Sequence, residues 1–131
     1  MKAPKYFLSV FGDPKPPYKD TIESGIYHPN SKFAPFPTDP GDFLLIYCTA
    51  GYIEHSMCVP GIGVVLHTNE TEVHYRYLPL TKAISKNELD INLDPLDKKN
   101  FSNIRFSTFW LFEISKDSFS RSIGDRSVLW P

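Results

Sequence analysis

Four aromatic side chains stand where a strand ends or a connection begins, and they are the residues best suited to chemistry: Phe11, Tyr27, Tyr47 and Tyr52. Recognition of an extruded base needs flat π-faces on either side and a few fixed hydrogen-bonding groups for the base edge. Tyr27, which follows Gly25-Ile26 and precedes His28, is the leading candidate, and His28 joins it as a base-binding residue. Nucleophilic catalysis has less to work with. His55 lies near Cys58, but both fall in a connection, and the chain has no Gly-x-Ser-x-Gly elbow and no glycine-rich phosphate loop. Asp90, Asp94 and Asp97 sit in a polar segment that reads as solvated surface. His28, His55, His67 and His74 are scattered singly and Cys48 and Cys58 lie ten apart, so no metal and no cofactor is expected.

Composition bounds the classes. At 131 residues the chain is one domain, 1–131, with 41% hydrophobic and 22% charged residues, ordinary for a globular protein. Fifteen per cent aromatic residues and twelve prolines are both high. No apolar run approaches the length of a membrane span, and the N-terminal apolar stretch is too short for a signal peptide, so an intracellular, cytoplasmic location and free thiols are expected. The net charge of −1 hides an asymmetry: residues 1–97 hold eight Lys and Arg against twelve Asp and Glu, residues 98–131 six against three. A chain so near neutral cannot bind nucleic acid mainly by neutralising phosphates; it would need a pocket backed by a local basic patch.

The elements that must position these residues follow from periodicity and punctuation. Residues 5–11 read as a strand with Tyr6, Leu8 and Val10 on one face and Phe7, Ser9 and Phe11 on the other. Tyr18 to Ser24 reads as a short helix capped by Gly25, and Ile26-Tyr27 as a short strand. Residues 28–41 carry four prolines with Phe33 and Phe36, a stiff loop of the kind that is often functional. Gly41 to Cys48 and Pro60 to Leu66 read as adjacent strands, the second with Gly61 and Gly63 stripping one patch of side chains. Val73 to Leu80 is a further strand in which Pro79 marks an edge or bulge. Ile84 to Asn100 reads as loop plus a helical turn, Ile104 to Ile114 as the last strand, and Ser115 as the cap of a helix over Lys116 to Ile123 ended by Gly124. The sum is α+β: a small curled mixed β-barrel of five to six strands with two or three helices packed outside.

In order and spacing, Lys5-Tyr6-Phe7-Leu8-Ser9-Val10, Ser24-Gly25-Ile26-Tyr27, Gly41-Asp42-Phe43-Leu44-Leu45-Ile46-Tyr47 and Pro60-Gly61-Ile62-Gly63-Val64-Val65 resemble the EVE domain, a relative of the YTH domain in the PUA-like superfamily. Tyr77-Leu78-Pro79-Leu80 and Ile104-Arg105-Phe106-Ser107 extend the resemblance over nearly the whole chain. It implies a pocket taking a modified nucleobase between aromatic walls. Tyr27 then matches the first cage aromatic, usually Trp in that family. Ser9 and Phe11 match the polar and lining positions at the end of the first strand. Cys48, Thr49 and Tyr52 match the segment after the next conserved strand, and Arg105, Phe106 and Ser107 the basic and polar wall. Tyr in place of Trp offers a smaller stacking face, and Asp13-Pro14 stand where Asn-rich sequence is often found.

The expected function is recognition of a methylated or hydroxymethylated base in DNA or RNA, with a nuclease or other effector chain as a further partner and no membrane. The alternatives are a small hydrolase of the related ASCH type, favoured by a Lys or Glu pointing into the pocket, and a protein or small-molecule interaction module.

Overall fold

The computed structural model describes residues 3–104 and 109–128, and in it the apolar runs form the middle of one six-stranded sheet. Its strands are β1 (Tyr6–Phe11), β2 (Ile26–Tyr27), β3 (Phe43–Cys48), β4 (Cys58–Thr68), β5 (Val73–Ser85) and β6 (Leu111–Ile114). They lie in the order β2-β5-β4-β3-β1-β6, with β1 and β3 parallel and the other neighbours antiparallel. Helices α1 (Lys86–Asn92), α2 (Pro95–Ser102) and α3 (Lys116–Ile123) complete an α+β fold, a curled mixed half-barrel.

Strands β1 and β3 are buried on both faces, which is why they read as nearly continuous apolar sequence. On one face Leu8, Val10, Leu45 and Tyr47 pack with Leu89, Phe101 and Phe119 from the helices. On the other, Phe7, Phe11, Leu44, Ile46 and Cys48 pack with Ile22, Tyr27 and Tyr52. The first strand's two faces are thus those its alternation predicts. The sheet's two ends approach each other across this second core. Tyr27 Oη, at the end of β2, lies 2.8 Å from Val10 O and 2.7 Å from Trp110 O, beside β1 and β6. Asn30 N–H donates to Phe109 O at 2.8 Å along the same seam.

The glycine pair of β4 is not a bare patch. A Cβ on Gly61 would stand 2.6 Å from Tyr77 Cε1, and one on Gly63 would stand 2.9 Å from Tyr75 Cδ2. Tyrosine rings from β5 fill the space that the missing side chains leave. Pro79 sits where the sequence suggests. Tyr75 N–H donates outward to Gly25 O and Thr81 N–H to Ser127 O, so Pro79, between them, lacks a donor on the exposed side of β5, beside a register shift against β4.

Three expectations need correcting. The stretch Ile84 to Asn100 is not loop plus a turn but the end of β5 followed by α1 and α2. Ser85 accepts from Glu88 N at 3.1 Å, and Asp94-Pro95 starts α2 with proline in its first turn. Among the described residues the last strand runs over Leu111–Ile114; Phe109 has φ 65°, which no strand tolerates, and residues 105–108 lie outside the described residues. The helix expected from Tyr18 shrinks to a 3-10 turn at Ile22–Ser24, capped by left-handed Gly25 as predicted.

Candidate functional site

The aromatics singled out from the sequence meet as core rather than as an open cage. Phe11 and Tyr27 are fully buried, with ring centroids 4.5 Å apart, whereas a ring sandwiched between them would need about 7 Å. Tyr52 packs edge-on to Phe11 at 6.5 Å, and its hydroxyl accepts from Ile22 N. Cys48 is buried in the same cluster, and Thr49 N–H donates to Phe11 O. Ser9 is buried with its hydroxyl 3.5 Å from Leu45 O. Tyr47 points to the opposite face, where it meets Phe101 edge-on. Burial pushes the Tyr27 phenol well above its ordinary value. Arg105, Phe106 and Ser107 lie outside the described residues. Of the candidates, His28 borders an open cleft beside Tyr18 and Phe109, and Tyr52 borders a smaller one, about 180 Å3, with Asp13, Thr21 and Glu54.

The His28 cleft, about 510 Å3, lies over the seam between β2 and β6 and is lined by Tyr18, His28, Asn30, Phe36, Glu70 and Phe109, among others. Its volume falls in the range of small-ligand sites, roughly 300–1,000 Å3. The proline-rich loop supplies Asn30 and Phe36, so the segment flagged as a stiff loop does border the opening. Two neighbouring depressions share its walls: one reaches from Tyr18, His28 and Phe109 toward Lys15 and Lys19, the other from Phe36 and Glu70 toward Thr38 and Thr68.

His28 is the fixed plane at the centre. Its backbone N–H donates to Asp20 Oδ2 at 2.6 Å, its Nδ1 lies 2.8 Å from Asp20 Oδ1 and its Nε2 lies 3.1 Å from Glu72 Oε2. A carboxylate only accepts, so whichever ring nitrogen carries a proton donates it to the carboxylate that it faces. Glu72 also holds His74 Nε2 at 2.9 Å, and the His74 ring lies 4.1 Å from that of His67. The hydrogen bonds from His74 and Asn69 hold the Glu72 carboxyl below its ordinary value. Tyr18 lies on the His28 ring at 3.6 Å and 10°, with 58% of its surface exposed, leaving ring surface open to a ligand.

Other reactive groups have structural employment. Cys58 Sγ donates to the His55 carbonyl at 3.3 Å, so the bond engages backbone rather than imidazole and no thiol–imidazole dyad forms there. Burial raises both thiols above their ordinary values, which keeps them protonated near neutrality. Asp97 is buried rather than solvated: its Oδ2 accepts from Ser115 N and Ser118 Oγ, and so caps α3. Asp94 accepts from Ser115 Oγ and pairs with Arg121, and Asp90 pairs with Lys86 at 3.5 Å. Among the described residues, Glu23, Glu54 and His55 bring one ligating atom each within 4.8 Å of one another, with both carboxylates exposed.

Sequence reasoning missed Tyr18, Phe109 and Glu70 as site residues. Tyr18 was legible as an aromatic beside a proline pair, a position that exposes a ring; Phe109 was concealed by its place in an apparent strand. Among the described residues no helix is long and apolar enough to cross a membrane. Compared with family models, curated proteins and solved structures, the chain has no match.

Proposed function

We propose that this chain is a nucleic-acid-binding module that takes a modified base into the cleft beside Tyr18 and His28. The observation that carries the reading is the near-parallel Tyr18–His28 stack at 3.6 Å, held on a histidine whose polar groups are already engaged. A base laid on this platform extends the stack by one layer, and such stacking is worth roughly 1–3 kcal/mol per base. Lys15 and Lys19 line the adjoining depression beside Asp13 and Asp20, and Lys19, which pairs with no described carboxylate, offers a cation to a phosphate. The reading keeps the resemblance to EVE domains as to kind of ligand but moves the binding surface outward, from the Phe11–Tyr27 core to its aromatic rim. It also places the chain in the cytoplasm, with a nuclease or similar effector as a partner chain.

The test is a panel of short oligonucleotides, plain, methylated and hydroxymethylated, against the wild-type chain and Tyr18→Ala at two salt concentrations. The expected result is binding to a modified oligonucleotide that Tyr18→Ala weakens about tenfold or more. Binding that ignores Tyr18→Ala would remove the assignment.

A second reading, a small hydrolase in the same cleft, is favoured by Glu70, a carboxylate at the opening. It predicts chemical conversion of a base-modified nucleoside on incubation; the binding module returns the nucleoside unchanged.

A further inference from the structure

We infer that the base this cleft prefers carries a positive charge on its ring, as N1-methyladenine and N3-methylcytosine do at neutral pH. The inference rests on the base-binding reading above and narrows its ligand class. The charge balance of the cleft is the first argument. Besides His28, Glu70 is the only charged side chain among the described lining residues, and no hydrogen bond or ion pair ties it to another described residue. Behind the wall the carboxylates of Asp20 and Glu72 flank His28, and Glu72 also holds His74 Nε2. The acidic mouth therefore favours a cation.

The second argument is the aromatic lining. Tyr18, Phe36 and Phe109 all border the cleft. The negative faces of such rings attract a flat cation more than a neutral ring, most of all where water is partly excluded. A carboxylate can only accept, so Glu70 suits the exocyclic amino or imino N–H that these two bases also present.

The third argument is polarity along the groove. Lys15 and Lys19, with Asp13 and Asp20, line the depression that shares Tyr18, His28 and Phe109 with the cleft and does not include Glu70; Asp20 is held by His28. Lys19 has no ion-pair partner among the described residues, whereas Lys15 lies 3.7 Å from Asp13. A nucleotide with a cationic base has the matching dipole, phosphate toward the lysines and ring toward Glu70.

Isomer pairs test this without changing size. Binding of the 5′-monophosphates of 1-methyladenosine and N6-methyladenosine, and of 3-methylcytidine and 5-methylcytidine, is measured by calorimetry at pH 7 for wild type and Glu70→Gln. The members of each pair have the same heavy atoms and differ in methyl position and, at pH 7, in the one proton that gives the ring its charge. The expected result is a preference of roughly tenfold for the charged isomer, the order that a partly desolvated cation–π contact supplies, and a collapse of that preference in Glu70→Gln, which weakens the charged isomer more than the neutral one. Equal affinity within each pair, or a preference that survives Glu70→Gln, overturns the inference while leaving the base-binding reading intact. No binding of any of the four overturns both. Glu70 lies exposed in the β4–β5 turn, so an unchanged melting curve verifies that the variant is folded.

Discussion

The phenol of Tyr27 reaches the carbonyls of both Val10 and Trp110, at 2.8 and 2.7 Å, and so ties the short strand at one end of the sheet to the opposite end. One buried hydroxyl thereby helps set the curl that carries the cleft above it. Tyr27→Phe leaves these carbonyls without that donor, and the expected loss is about 1–3 kcal/mol in urea denaturation. Tyr27→Ala also empties a ring-sized volume against Phe11 and should cost about 3–5 kcal/mol. A Tyr27→Ala protein as stable as wild type would contradict the core assignment.

Gly61 and Gly63 are expected to resist substitution for different degrees of the same reason. A Cβ at Gly61 meets Leu78 O at 2.7 Å as well as the Tyr77 ring, and backbone cannot swing aside. Gly61→Ala should lower the unfolding free energy by about 1–3 kcal/mol. Gly63→Ala, facing side-chain atoms of Tyr75 and Leu44, should lower it by less. The comparison of the two denaturation midpoints checks the order.

Stability should fall at both ends of the pH scale, for opposite reasons. The carboxyls of Glu72, Glu88 and Asp94 are held below their ordinary values, chiefly by hydrogen bonds from His74, Arg126 and Ser115 respectively. Their contribution is present above the ordinary carboxylate range and is lost as pH falls through the lowered values. Burial raises the buried phenols instead, that of Tyr47 to about 12. That contribution is complete below the ordinary phenol value of about 10 and is lost as pH rises from there toward the folded-state value. Thermal melts across pH should show an acid limb that Glu72→Gln flattens and an alkaline limb that Tyr47→Phe flattens.

Asp97→Ala removes the acceptor that holds Ser115 N and Ser118 Oγ at the start of α3. The buried Ser118 hydroxyl and the part-buried Ser115 N–H are left without their partner, so a loss of about 1–3 kcal/mol is expected. Amide exchange should show the first turn of α3 opening before the sheet.

Much of this architecture was legible in the chain. Alternation in Tyr6–Phe11 separated the two cores, and Ser115 and Gly124 bounded the last helix as their cap chemistry requires. Ser85 with Glu88 three residues on was an equally good helix signal, overshadowed by the polar sequence around it. The site was harder to read. A tyrosine after Gly25-Ile26 has the same sequence signature whether its ring closes a core or opens a cage, and only the approach of Val10 and Trp110, 17 and 83 residues away, decides it. Tyr18, Phe36, Glu70 and Phe109 come from four separate segments, with no spacing rule linking them.

The most direct test of the base-binding account is NMR on the wild-type chain as a modified oligonucleotide is added. The account predicts that the aromatic resonances of Tyr18, His28 and Phe109 shift first and furthest, while those of Phe101 and Phe119 on the helical face stay in place. Shifts centred on the helical face, or none at a concentration where the oligonucleotide is bound, would contradict it.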